Sequence, residues 1–127
     1  MSDTKRILVV DDESHRLDTI RRGLFLFGYD SQGAICADDA IALLLGTEGA
    51  TFDLVITDLT MPGRSGINLI EQIRKTKLDL PIIVITGLAA TDEVKWVLKR
   101  CLPILQKPFE PYGLNQLIEE QLGQPTR

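Results

Sequence analysis

The sequence predicts an α/β fold in which five parallel strands are covered by helices on both faces. Short apolar runs recur along the chain, and longer stretches with helical periodicity lie between them. Runs such as ILVV and IIVI are continuously apolar, as expected of strands buried on both faces. The chain has 127 residues, of which 44% are hydrophobic, enough for one domain with one core. Alternating strands and helices favour a parallel sheet.

The bounds of the strands and helices follow from these patterns and from the residues that end them. The predicted strands are residues 6–10, 29–34, 53–57, 81–85 and 102–105. The predicted helices are residues 14–27, 38–45, 66–75, 92–100 and 110–122. In the first helix, Leu17, Ile20 and Leu24 share one stripe, and Gly28 ends the helix.

At this length, the doubly wound class favours a flavodoxin-like fold with strand order 2-1-3-4-5. Ligands of such sheets bind at the carboxyl ends of the strands, between the first and third. We expect residues 1–123 to form the domain, and residues 124–127 to be a tail or the start of a linker.

Composition narrows the class of protein. The formal net charge of −4 argues against non-specific nucleic-acid binding, so we expect no direct contact with nucleic acid. The chain contains no run apolar enough for a membrane span and no secretory signal, so a cytoplasmic location without membrane contact is expected. Cys36 and Cys101 are too isolated for a disulfide framework or zinc site, and we expect buried, reduced thiols.

Chemically active side chains follow four of the predicted strands. Asp11 and Asp12 come after the first strand, Asp58 after the third, Thr86 after the fourth and Lys107 after the fifth. Taken singly, such residues are often helix caps, turn residues or solvated lysines. Parallel strands share one carboxyl edge, however, so we expect all five side chains to converge there.

Neighbouring carboxylates repel one another, and a bound cation is the simplest solution. Oxygen ligands suit Mg²⁺, with Mn²⁺ as an alternative. A carboxylate beside such a metal can act as a nucleophile toward phosphorus. Thr86 would then donate a hydrogen bond to one phosphoryl oxygen, and Lys107 would neutralise another.

These residues lie in motifs that resemble the receiver domain of two-component response regulators, particularly the stand-alone chemotaxis regulators. The motifs are ILVVDDE, DLVITDLTMPGRSG, PIIVITG and LQKPF, which span nearly the whole chain. The resemblance implies a phosphoacceptor that catalyses its own phosphorylation and dephosphorylation, rather than an enzyme with a separate substrate. A histidine kinase or phosphotransfer protein would supply the phosphoryl group.

Site roles follow from the same resemblance. Asp58 would accept the phosphoryl group, while Asp11, Asp12, Asp58 and the backbone carbonyl of Thr60 would hold Mg²⁺. Thr86 and Lys107 would contact the phosphoryl oxygens. Their movement would alter the surface formed by the fourth helix, fifth strand and fifth helix, a candidate contact for a homodimer or effector.

Two residues beside these motifs support the same site. The Lys107–Pro108 bond is expected to be cis, as is common in such domains. Gly87 follows Thr86, and a small residue there leaves room for a phosphoryl group.

Two departures from the family pattern concern signalling and lifetime. Ile104 stands where the family usually has Tyr or Phe, so the aromatic readout is in doubt and a differently routed switch is expected. Thr60 and Leu88 occupy the positions that tune phosphate lifetime. Leu88 cannot orient an attacking water, which predicts slow autodephosphorylation.

Surface positions suggest where partners bind. Helical spacing, with Val94, Val97, Leu98 and Cys101 placed inward, points Trp96 outward as a candidate partner contact. Leu26, and with it Phe25, lies off the buried stripe of the first helix, on the face that resembles a kinase-docking surface. His15 is expected to be a plain surface residue.

Three other functions compete with this interpretation. An aspartate-nucleophile phosphatase would need a D-x-D pattern after the first strand, and a flavodoxin would need a Ser-, Thr- and Gly-rich loop where this chain has DDES. The remaining alternative is a degenerate receiver that binds proteins without phosphorylation. The complete set of acids, hydroxyl and amine argues against it, and Ile104 argues for it.

The lifetime hypothesis predicts that Leu88→Glu loses its phosphoryl group severalfold faster than wild type, because Glu can orient a water by hydrogen bonding. Release of phosphate after removal of the phosphodonor measures the rate. An unchanged rate would contradict the hypothesis.

Overall fold

The computed structural model describes residues 4–47, 51–59, 66–76, 79–87 and 91–123, in which strands and helices alternate along the chain. The strands are β1 (Arg6–Val10), β2 (Asp30–Ala34), β3 (Leu54–Asp58), β4 (Ile82–Thr86) and β5 (Ile104–Gln106). The helices are α1 (Ser14–Leu26), α2 (Ala37–Leu45), α3 (Gly66–Thr76), α4 (Asp92–Lys99) and α5 (Pro111–Leu122). Every predicted element is present, displaced by no more than one or two residues at either end.

The strands form one sheet in the order β2-β1-β3-β4-β5, and all neighbouring pairs are parallel. This confirms the predicted doubly wound, flavodoxin-like fold. The order reverses at β1 and β3, which lie side by side with Val10 opposite Thr57. The residues that follow these two strands therefore meet at the carboxyl edge of the sheet.

Alternating strand side chains supply two apolar clusters, one on each face of the sheet. In β1, Leu8 and Val10 face the cluster beneath α2, α3 and α4, whereas Ile7 and Val9 face the cluster beneath α1 and α5. The apolar runs of β1, β3 and β4 are buried on both faces of the sheet, which explains why these runs are continuous, whereas β2 at the edge (DSQGA) is polar.

Helix α1 ends as its sequence predicts. Gly28 adopts φ 93°, a left-handed conformation that costs glycine little. Its N–H donates to the carbonyl of Phe25 at 3.0 Å, and the N–H of Tyr29 donates to that of Leu24 at 2.9 Å. This pair of bonds is the Schellman motif.

Helix α4 ends with the same kind of turn, but Cys101 takes the place of glycine. Cys101 has φ 58°, and its N–H donates to the carbonyl of Leu98 at 3.0 Å. The predicted buried thiols are therefore wrong: Cys101 is exposed, and Cys36 is half-buried. The Sγ of Cys36 instead caps α2 by accepting a hydrogen bond from Asp39 N–H at 3.4 Å.

The predicted outward orientation of Trp96 is also wrong. Its side chain is half-buried and packs against the cluster beneath α2, α3 and α4, while Leu98, predicted to face inward, is exposed. The guanidinium of Arg100 covers the indole ring at 3.6 Å from its centroid. Angular spacing misplaced Trp96 because it describes the Cα–Cβ direction and not the reach of a large ring.

Among the described residues, no helix is long and apolar enough to cross a membrane.

Candidate functional site

The register of the sheet fixes the backbone on which the site is built. Parallel hydrogen bonding continues one residue beyond the strands: Asp11 N–H donates to the carbonyl of Ala34 at 3.0 Å, and Leu59 N–H donates to that of Ile85 at 2.9 Å. Asp11 and Asp58 are thereby held next to each other by neighbouring strands that are themselves fully buried.

Asp11, Asp12 and Asp58 form one acid cluster. Each offers a carboxylate oxygen, and these three oxygens lie within 4.8 Å of one another. Asp11 and Asp58 are 1% and 3% exposed, whereas Asp12 is open to solvent. An all-oxygen set with one open side fits Mg²⁺, which typically keeps several waters.

Lys107 and Thr86 reach the same edge from β5 and β4. The Nζ of Lys107 lies 3.1 Å from Oδ2 of Asp58, and Lys107 N–H donates to the carbonyl of Thr86 at 2.8 Å. Thr86 is buried, and the Lys107–Pro108 bond is cis, as expected. Asp11, Asp12, Asp58 and Lys107 do lie together, and Thr86 ends the neighbouring strand at the same edge.

Arg16 is a component of the site that sequence reasoning missed. Its Nε and Nη2 donate to Oδ2 and Oδ1 of Asp11 at 2.6 and 2.9 Å. The same Nη2 lies 3.3 Å from Oδ2 of Asp58. The hydrogen bond to Asp11 is the main reason that the pKa of Arg16 is raised, with the charge of Asp58 adding to it.

The capping of α1 explains how Arg16 reaches the acids. Glu13 is the N-cap, and its carboxylate accepts from the N–H groups of His15 at 2.9 Å and Arg16 at 3.0 Å. The N–H of Glu13 donates to Asp11 at 2.9 Å. The cap role thus belongs to Glu13, and α1 begins so close to β1 that its first turn overhangs the cluster. His15 is exposed, as predicted.

Gly66 is a second residue that sequence reasoning missed. A Cβ on this residue would lie 2.6 Å from the backbone oxygen of Asp58 and 2.8 Å from the Cα of Leu59. The N–H of Gly66 donates to the carbonyl of Leu59 at 3.0 Å. The amino end of α3 therefore packs directly on the backbone that carries Asp58.

The other predicted residues have varied placements. A Cβ on Gly87 would meet nothing within 4 Å, consistent with the predicted open space after Thr86. Ile104 is half-buried against the cluster beneath α2, α3 and α4, and Leu26 is 82% exposed. Thr60, Leu88 and the predicted tail, 124–127, lie outside the described residues.

A cavity of about 440 Å³ opens between α1 and α5 beside the acid cluster. Its walls are mainly apolar and include Leu24, Phe27 and Phe109, and Arg16 and Lys107 also line it. The cavity therefore borders the acid cluster through Arg16 and Lys107.

Comparison with known proteins gives a consistent result. Residues 7–119 match the family model described as response regulator receiver domain. The chain is 30% identical over 125 residues to the transcriptional regulatory protein FixJ of Bradyrhizobium diazoefficiens, covering 98% of this chain and 60% of FixJ. It is 34% identical over 114 residues to the two-component response regulator ARR14 of Arabidopsis thaliana, covering 88% of this chain and 29% of ARR14. The chain thus spans only part of these relatives.

Solved structures agree. A CheY-like response regulator receiver domain protein from Methanospirillum hungatei superposes with a TM-score of 0.85 at 30% identity, covering 94% of each chain. A receiver domain from Clostridium thermocellum gives a TM-score of 0.85 at 29% identity, covering 93% of this chain and 94% of that one.

The close approach at Gly66 predicts that Gly66→Ala lowers the free energy of unfolding by about 3 kcal/mol, because the methyl group would meet rigid backbone. Urea unfolding measures the change. Gly23→Ala in α1 is the matched control: a Cβ there meets nothing within 4 Å, so alanine should stabilise the helix by about 0.5 to 1 kcal/mol. Equal stability of Gly66→Ala and wild type would show that α3 does not pack on Asp58 as described.

Proposed function

The chain belongs to the family of response regulator receiver domains, and on that premise we propose that it is a phosphoacceptor switch of a two-component system, with Asp58 as the acceptor. One observation carries the proposal. Asp58 is buried, its carboxylate lies beside those of Asp11 and Asp12, and the ammonium of Lys107 lies 3.1 Å from its Oδ2.

The proposed phosphoryl transfer exchanges one bond to phosphorus for another. A carboxylate oxygen of Asp58 attacks the phosphorus of a phosphohistidine, forming a P–O bond as the P–N bond to the donor imidazole breaks. The electron pair of that bond returns to the ring nitrogen. Lys107 neutralises one phosphoryl oxygen and Thr86 donates a hydrogen bond to another, so the protein's role is positioning and charge neutralisation.

Asp11, Asp12 and Asp58 would hold Mg²⁺, together with the carbonyl of Thr60. Their oxygens are close enough to share one ion, and the all-oxygen donor set suits Mg²⁺ or Mn²⁺. When bound, the metal supplies positive charge against the phosphoryl oxygens.

Receivers of this family interact with histidine kinases or phosphotransfer proteins. We place the docking of such a donor on α1, where Phe25 and Leu26 are 78% and 82% exposed. The cavity between α1 and α5 is lined by other residues of the same helix and by Lys107, and its apolar walls suit a partner helix.

The output would run through Thr86 and Lys107, which are joined by a backbone hydrogen bond of 2.8 Å. A shift of either residue would move β5 and so change the α4-β5-α5 surface, where an effector or a second copy would bind. Ile104 packs against the core cluster without an aromatic ring, so the readout would be routed through Thr86. Slow dephosphorylation, tuned by Thr60 and Leu88, and a cytoplasmic location stay predictions.

A phosphorylation-independent binding module is the second candidate, favoured only by Ile104. The convergence of three acids, Thr86 and Lys107 at one edge argues against it, because a binding surface alone requires no such set.

Phosphorylation by acetyl phosphate, read as intact mass, tests the proposal. We expect Mg²⁺-dependent gain of one phosphoryl group, labile to hydroxylamine, in wild type and no gain in Asp58→Asn. Asp18→Asn, which changes an exposed acid on α1, is the matched control and should behave as wild type.

Modification of Asp58→Asn, or no modification of wild type by either acetyl phosphate or a histidine-phosphorylated donor protein, would contradict the assignment of Asp58. The second result would favour the binding module.

A further inference from the structure

We propose that Arg16 is an internal counter-ion that competes with Mg²⁺ for Asp11 and Asp58 and thereby weakens Mg²⁺ binding. The proposal rests on the proposed function, since it requires the acid cluster to be a divalent-cation site. It concerns a side chain outside the set of acids, Thr86 and Lys107 that the family resemblance brings to this site.

Arg16 already occupies the carboxylate of Asp11. Both oxygens of this buried carboxylate already accept hydrogen bonds: Oδ2 from Arg16 Nε at 2.6 Å, and Oδ1 from Arg16 Nη2 and Glu13 N–H, both at 2.9 Å. A paired guanidinium–carboxylate interaction of this geometry is among the stronger ones in proteins. A metal that takes Asp11 as a ligand must therefore displace a well-made partner.

Arg16 also bridges Asp11 and Asp58. A single nitrogen, Arg16 Nη2, lies 2.9 Å from Oδ1 of Asp11 and 3.3 Å from Oδ2 of Asp58. That nitrogen occupies the space between two of the three acids. Mg²⁺ requires contacts of about 2.1 Å to its oxygen ligands in strict geometry, so it competes with this nitrogen for the oxygens of both carboxylates that face it.

Charge reinforces the competition. Among the described residues, Arg16 and Lys107 are the cations that contact these three carboxylates, so the five side chains together carry one net negative charge, and removal of Arg16 would leave two. A guanidinium that stayed in place would also repel the arriving ion. Both effects oppose Mg²⁺, and both disappear when Arg16 is replaced by an uncharged residue.

The side chain of Arg16 can leave the acid cluster by rotating into open space. The side chain of Arg16 is 31% exposed, and Arg16 lines the cavity between α1 and α5. Its helix backbone is fixed by the Glu13 cap, so departure requires only rotation of the side chain. Arg16 therefore acts as a removable occupant of the metal site rather than as part of the rigid core.

The test is calorimetric titration of the whole chain with MgCl₂. Arg16→Met keeps the apolar stem and removes the charge, and we expect it to bind Mg²⁺ about tenfold more tightly than wild type, or more. Arg22→Met is the matched control, because it removes the same charge from an exposed position on the same helix, and it should bind as wild type.

Arg16→Lys is a second variant, which keeps the charge but cannot form the paired interaction with both oxygens of Asp11 that the planar guanidinium makes. It should bind Mg²⁺ more tightly than wild type and less tightly than Arg16→Met. The thermal unfolding midpoint, measured with and without MgCl₂, should rise more for Arg16→Met than for wild type.

The outcomes are distinguishable. Equal Mg²⁺ affinity in wild type and the Arg16 variants would overturn the competition and leave the metal site intact. An equal gain in Arg22→Met would also overturn it, since general charge would then explain the effect. Failure of every variant to bind Mg²⁺ would overturn both this proposal and the metal site, whereas phosphorylation of Asp58 is measured separately.

Discussion

Mutual repulsion among three carboxylates is the constraint on which the rest of this structure depends. Asp11, Asp12 and Asp58 present oxygens within 4.8 Å of one another, and two of these side chains are buried. Unpaired charges in that environment would be costly, so cations must face them. Lys107 and Arg16 supply that charge from two different elements, one from the loop after β5 and one from the first turn of α1.

The fold serves this arrangement in specific ways. Backbone hydrogen bonds that continue past β1 and β3 fix the acids, while Glu13 caps α1 and so fixes the base of Arg16. Gly66 lets α3 approach the backbone of Asp58 more closely than a residue with a Cβ would allow. The two apolar clusters on either face of the sheet hold these parts in register.

The alternation of strands and helices is sufficient to predict a doubly wound sheet, and the residues at the strand ends follow because the carboxyl ends of parallel strands share one edge. The contacts that long side chains make in the folded protein cannot be predicted in this way. Arg16 is a polar position off the buried stripe of α1, and nothing in the local sequence indicates that its side chain spans to Asp11 and Asp58. Trp96 was misplaced for the related reason that a large ring covers more surface than its angular position suggests.

A crystal structure with Mg²⁺ and beryllofluoride, an analogue of the phosphoryl group, tests most directly whether Asp58 accepts a phosphoryl group and whether Mg²⁺ displaces Arg16. We expect the analogue on Asp58 in contact with Thr86 and Lys107, the metal on Asp11, Asp12 and Asp58, and the guanidinium of Arg16 displaced from Asp11. Arg16 still bridging Asp11 and Asp58, with neither metal nor analogue bound among the acids, would contradict it.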